Sequence, residues 1–185
     1  LDVYTVQTVQ YVAGIGMEIK YPTIEARTRI LQAAAEVIRQ EGAMALTLDA
    51  VARGAGVSKG GLLYHFPSKD ALVQGLLEYQ LDTFEESLRA SGLPFAEAYV
   101  KLGSYDGSRG LLLGMLAALA LNPSLLEVVR ERWQRWYARI PQNPDVMVAI
   151  LATDGIFMTD VLKLGVPEGD YKRKVLQRML ELAGG

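Results

Sequence analysis

Cysteine is absent from the 185 residues. Its absence excludes disulfides, thiolate metal sites and cysteine nucleophiles, and it fits a reducing cytoplasm. Histidine occurs once, at His65, so a catalytic triad or an imidazole zinc site would have to be built around that single ring. No paired-carboxylate signature and no ligand cluster for a metal or cofactor accompanies it. The expectation is therefore a non-enzyme without cofactor or metal. A long hydrophobic span is missing as well. The longest apolar run, Gly110 to Leu121, falls well short of the roughly 20 residues a bilayer requires. Residues 1–16 are apolar with one charge, Asp2, and lack the basic stretch that opens a secretory signal. They read as an N-terminal extension ahead of Met17. The expected location is cytoplasmic, with no membrane partner.

Neither sign of charge dominates: 19 basic residues face 21 acidic ones, a net charge of -2. Distribution matters more than the sum for a nucleic-acid binder. Between Met17 and Asp70 there are seven basic and six acidic residues, against twelve and fifteen elsewhere. That bias has the right sign but is too small to decide anything. Half of the residues are hydrophobic, enough for a substantial core.

What is present is helical punctuation. Pro22-Thr23 opens a segment in which Ile24, Leu31, Ala34, Ala35 and Ile38 follow the helical period, and Gly42 closes it. Thr47 is an N-cap for a short helix, and Ser58 caps a second after the Gly54-Ala55-Gly56 break. Ser68 caps a long helix with the stripe Val73, Leu77, Leu81, Phe84 and Leu88. A short helix over 95–102 follows, then a turn at Asp106-Gly107-Ser108. The run Gly110 to Leu121 has no polar face and reads as a buried helix. Asn122-Pro123 and Asn143-Pro144 each pair an N-cap with proline at the first helical position. Gly165-Val166-Pro167 stops the helix begun at Asn143, and an amphipathic helix spans about 168–183. The fold class is all-α.

Thr47 to Tyr64 has the anatomy of a helix-turn-helix. Val51 and Ala52 face inward, Gly56 suits a turn with positive φ, and Val57 plugs the gap between the helices. The second helix opens with Lys59, Gly60 and Gly61. Small residues there let a backbone approach the major-groove floor, and Lys59 can donate to guanine acceptors.

The longer string from Thr47 to Leu72, TLDAVARGAGVSKGGLLYHFPSKDAL, closely resembles the TetR family of transcriptional regulators, over roughly residues 23–90. The resemblance implies a three-helix DNA-binding domain at 17–68. An all-helical effector-binding and dimerisation domain at 69–185 would follow, in a homodimer on double-stranded, palindromic operator DNA. By position, Lys59, Gly60 and Gly61 fall where the family approaches bases, and Thr47, Ser58, Tyr64, His65 and Lys69 where it binds phosphates. Leu63 departs from a frequent phosphate-binding tyrosine, and Gly61 from a larger residue.

In the second domain, Trp133, Trp136 and Tyr137 share a face with Val129 and Ile140, either packing or lining a cavity. Arg132, Arg135 and Arg139 form the other face, read as solvated, with Glu131 placed to pair with Arg135. Asp154 interrupts an apolar helix, as an anchor in a pocket or as a tie to a neighbouring helix. With Met115, Met147 and Met158 these residues make an adaptable pocket for a small hydrophobic or aromatic effector. Val161, Leu164, Val175, Leu176 and Met179 are the expected dimer interface. Two other readings stand beside the regulator: an enzyme on a helical scaffold, and an architectural DNA binder without effector.

Overall fold

The computed structural model describes residues 25–103, 114–115, 117–118, 121–161, 164–165 and 167–184. The helices bounded within the described residues are, in chain order, α1 (Ala26–Glu41), α2 (Leu48–Ala55), α3 (Lys59–His65), α4 (Lys69–Ala90), α5 (Phe95–Gly103), α6 (Glu127–Tyr137), α7 (Pro144–Val161) and α8 (Gly169–Ala183), and the described residues 114–115, 117–118 and 121 are helical too. Single 3-10 turns stand at Ala43–Ala45 and Pro123–Leu126. No strand occurs among the described residues. The expected extension at 1–16, the helix start at Pro22-Thr23, the turn at 106–108 and most of the run at 110–121 lie outside them.

Local chemistry sets the helix starts. The Thr47, Ser58 and Ser68 hydroxyls each accept the backbone N–H three residues on, from Ala50 at 3.1 Å, Gly61 at 3.0 Å and Ala71 at 3.0 Å. Each satisfies a donor that the first helical turn leaves without a partner. Asn122 and Asn143 accept with their side-chain carbonyls from the backbone N–H two residues on, those of Ser124 and Asp145. After Asn122-Pro123, however, the chain makes one 3-10 turn before α6 begins. Gly56 ends α2 in the left-handed region at φ 63°. Its N–H donates to Arg53 and that of Val57 to Ala52, the paired bonds of a Schellman ending. That geometry turns the chain tightly from α2 into α3.

The core is one continuous cluster, running from Ile30 and Leu31 on α1 through α4 to Ala149 and Ile150 on α7. Helix α4 is its shared wall. Its expected stripe of Val73, Leu77, Leu81 and Leu88 is buried, with Phe84 half-buried. Leu72, Gly75 and Leu76 are buried too, because α1 crosses one side of this helix and α6 another. Gly114 sits where a Cβ would come 3.1 Å from Leu77, and Ala117 and Ala118 are fully buried. Helix α5 packs on both α7 and α8. No described helix is long and apolar enough to cross a membrane.

Two residues fix how α3, which lies against α1 and α2, is seated next to this wall. Leu62 is fully buried, and Phe66, just beyond the helix, presses its ring against Gly75. The Arg27 guanidinium stands 5.3 Å over the same ring. A Cβ at position 75 would meet Phe66 Cε1 at 2.6 Å, inside contact distance. Gly75→Ala is therefore expected to force the ring aside and cost about 1–3 kcal/mol, as overpacked cores do. Urea denaturation measures this, and an unchanged midpoint would refute the contact.

Candidate nucleic-acid interface

Helix α3 turns Leu62 inward and leaves its other side bare. Lys59, Gly60, Leu63 and Tyr64 are exposed, with Tyr64 at 86%. The Tyr64 ring makes a T-shaped contact with its neighbour His65, at 5.2 Å between centroids. Lys59 reaches back to α2, its Nζ 3.1 Å from an Asp49 carboxylate oxygen. This pair ties the N-terminal ends of α2 and α3 together, so the capping hydroxyls of Thr47 and Ser58 stand at the same end of the motif. Capping uses those oxygens as acceptors, and a hydroxyl keeps its proton to donate. Gly60 faces open space, whereas a Cβ on Gly61 would come 3.3 Å from Ser58 Oγ. His65 and Lys69 are half-buried at the seam between α3 and α4.

Beyond α4 an aromatic cluster fills the centre. Trp136 is buried, with ring centroids of Phe84 at 5.5 Å, Tyr99 at 6.2 Å and Trp133 at 5.0 Å. Beside it Asp154 on α7 accepts from Tyr99 Oη at 2.6 Å and Tyr137 Oη at 3.1 Å, joining α5, α6 and α7. Burial pushes the Asp154 carboxyl above its usual range, against the opposing pull of hydrogen bonds from Tyr99, Tyr137 and Trp133. Burial, and then the Asp154 charge, push the Tyr99 phenol up as well and carry Tyr137 up to about 12. The Trp136 indole N–H has no hydrogen-bond partner among the described residues.

Comparison with known proteins decides the family. The description "Bacterial regulatory proteins, tetR family" matches residues 30–76, and "Tetracyclin repressor-like, C-terminal domain" matches residues 94–184. The chain belongs to the TetR family. Over 115 residues it is 29% identical to the HTH-type transcriptional regulator UidR of Escherichia coli, covering 57% of this chain and 58% of that protein. It is 37% identical over 98 residues to the HTH-type transcriptional regulator TtgR of Pseudomonas putida, covering 53% of this chain and 44% of that one. The chain thus spans about half the length of these curated relatives. Among solved structures, the multidrug binding protein EbrR complexed with imidazole superposes with a TM-score of 0.60 at 25% identity. That superposition covers 85% of this chain and 96% of EbrR. The family is one of bacterial regulatory proteins, which sets aside the reading as an enzyme on a helical scaffold.

Within this TetR chain, the eight positions expected at DNA all lie on α2, α3, their caps or the start of α4. Asp49 was not among them, because a contact ten residues away leaves no periodic trace. The expected pocket residues divide. Trp133, Trp136, Tyr137 and Asp154 come together, with Tyr99 and Phe84, which sequence reading missed, as their neighbours. Met115 and Met147 are half-buried, and Met158 is exposed on α7. Asp154 acts as a tie between helices, one of its two expected roles. Arg132 departs from expectation: it is not on a solvated face but bonds Asp82 at 2.7 Å and Glu85 at 2.8 Å across to α4. The expected Glu131–Arg135 pair does not form. Met179 faces the core of its own subunit rather than a partner, and Val175 and Leu176 are half-buried. Leu164 is exposed, and the Val161 side chain lies outside the described residues.

The phenol shifts predict an alkaline weakness. Unfolded, Tyr137 ionises near pH 10; folded, it keeps its proton to about 12. Between those values the folded state binds more protons, so stability falls as pH rises through the window and is untouched by this group below it. Tyr99 acts in the same direction. Tyr137→Phe removes one such group, so its stability should decline less steeply above pH 10. Denaturant titrations across pH 8–12 measure the slope, and parallel profiles for both proteins would contradict the assignment.

Proposed function

We propose that this chain is a cytoplasmic, homodimeric repressor that two copies of α3 hold on a palindromic operator, and that a small, largely hydrophobic or aromatic effector releases. The observation that carries the reading is the bare outer side of α3, where Lys59 and an 86% exposed Tyr64 flank an edge without bulk. Lys59 donates to base acceptors, and the Gly60 and Gly61 backbone lies close to the groove floor. Thr47, Ser58, Tyr64, His65 and Lys69 bind phosphates, fixing register without reading sequence. Leu63 adds no hydrogen bond, so affinity rests on fewer anchors.

Dimerisation engages the outer face of α7. Val148, Leu151, Gly155 and Met158 recur there at helical spacing, with Val148 and Leu151 each 55% exposed, while Val146, Ala149, Ile150 and Thr153 face the core. Leu164, Tyr171 and Leu180, later in the chain, are exposed as well. An unpartnered apolar face of this extent is what an obligate interface covers. The revised interface is this outer row together with Leu164 and Leu176, without Met179.

The effector site in this reading is the cluster of Trp133, Trp136, Tyr137 and Asp154, with half-buried Met115 and Met147 as the remaining candidates and Met158 given over to the dimer face. EbrR, described as a multidrug binding protein, supports a small organic ligand. The effector must bind the conformation that cannot hold DNA more tightly than the one that can, or it shifts nothing.

Selection from a random duplex library tests the DNA reading. The expected product is an inverted repeat with half-sites about 34–36 Å apart, or a multiple. Lys59→Ala should relax the consensus at one base, whereas Tyr64→Phe should weaken all duplexes alike. No enrichment, or a consensus indifferent to Lys59→Ala, would overturn it. For the interface, Leu151→Glu is expected to give a monomer by sedimentation, and an intact dimer would exclude α7.

A further inference from the structure

Lys59 has no hydrogen-bond or ion-pair partner on its own helix among the described residues. Gly60 and Gly61 follow it, and the space beside Gly60 is open. As the first residue of α3, its charge is also disfavoured by the helix dipole. What holds the side chain is Asp49 on α2, with Nζ 3.1 Å from Oδ1 and 3.2 Å from Oδ2. Lys59 has no other polar partner among the described residues. Asp49 in turn stands in the first turn of α2, where the dipole favours a carboxylate.

From this geometry we propose that Asp49 is a specificity-determining residue, which aims Lys59 at base edges and denies it to the phosphate backbone. The inference rests on the reading of α3 as the helix that enters the groove. An ammonium has three N–H donors, so a lysine held by one carboxylate still has donors for guanine O6 and N7. A carboxylate on the same surface repels phosphates of every sequence alike. Asp49 therefore lowers affinity uniformly while the lysine it orients discriminates among bases. That combination raises the ratio of specific to non-specific binding, the quantity that matters amid competing sites. Both side chains are more than half exposed, at 60% for Lys59 and 58% for Asp49, so the pair contributes little to folding.

Four proteins test this: wild type, Asp49→Ala, Lys59→Ala and the double variant. Each is titrated by fluorescence anisotropy, over a salt series, onto the selected duplex and a scrambled duplex of equal length. Asp49→Ala is expected to bind the scrambled duplex more tightly, with a salt slope steeper by about 0.9, as for one more neutralised phosphate. Its ratio of selected to scrambled binding should fall at least about fivefold, the lower end for losing one oriented base contact. In the Lys59→Ala background, Asp49→Ala should leave that ratio unchanged. Asp49→Glu, which keeps the carboxylate, should retain most of it, and thermal unfolding of every variant checks the fold. If Lys59→Ala lowers the ratio and Asp49→Ala does not, Asp49 is a bystander and the inference is overturned while the reading of α3 stands. If Lys59→Ala leaves the ratio intact, both fall together.

Discussion

The contact between the Phe66 ring and the bare backbone at Gly75 governs the placement of everything at the DNA-facing end. A seven-residue helix such as α3 is too short to hold itself, since isolated helices below about 12–15 residues are marginal in water. Its position is set by what it is pinned to. Leu62 and Phe66 do the pinning: Leu62 is buried where α3 lies against α1 and α2, and α4 receives the Phe66 ring because Gly75 has no side chain where it arrives. The surface offered to DNA follows: with one side of α3 committed to the core, Lys59, Gly60, Leu63 and Tyr64 can only face outward.

The same helix carries that position to the rest of the molecule. At its start, the Asp70 carboxylate accepts from Asn122, 52 residues later in the chain and the cap of the turn ahead of α6. Farther along, Asp82 and Glu85 grip Arg132 on α6. Helix α6 contributes Trp136 and Tyr137 to the aromatic cluster, and Tyr137 bonds Asp154 on α7. A displacement within the cluster therefore meets α4 directly at Phe84 and, through α6, at the two carboxylates that hold Arg132. Coupling of this kind needs a packed path and bistable elements rather than a special signal.

How much of this was legible beforehand depended on the range of each interaction. Caps at Thr47, Ser58, Ser68, Asn122 and Asn143, and the left-handed Gly56, are encoded within four residues, and the structure places them where the sequence implied. The stripe of α4 was legible because its period is local, although burial on a second side was not. Partners distant in the chain left no trace. Tyr99 lies 55 positions from Asp154, and nothing near either residue announces the bond. Arg132 looked solvated because its own helix offers a plausible pairing pattern, but its partners sit about 50 residues earlier. Helix α7 was ambiguous for another reason. It is apolar on both its inner and outer faces, so amphipathicity could not tell core from interface, and Met179 on α8 was assigned to the wrong side of the same divide.

The five side-chain caps are not of one chemical kind. Those at the DNA-reading end, Thr47, Ser58 and Ser68, are hydroxyls, while Asn122 and Asn143, farther along the chain, are amides. For folding alone, aspartate would serve as well at any of these places. Against a polyanion it would not, because it brings negative charge and has no proton to give. A residue that must close a helix and also tolerate a phosphate is restricted to side chains that accept in one direction and donate in the other. Serine and threonine meet both demands, so the proposed phosphate contacts at Thr47 and Ser58 would leave the capping of α2 and α3 in place.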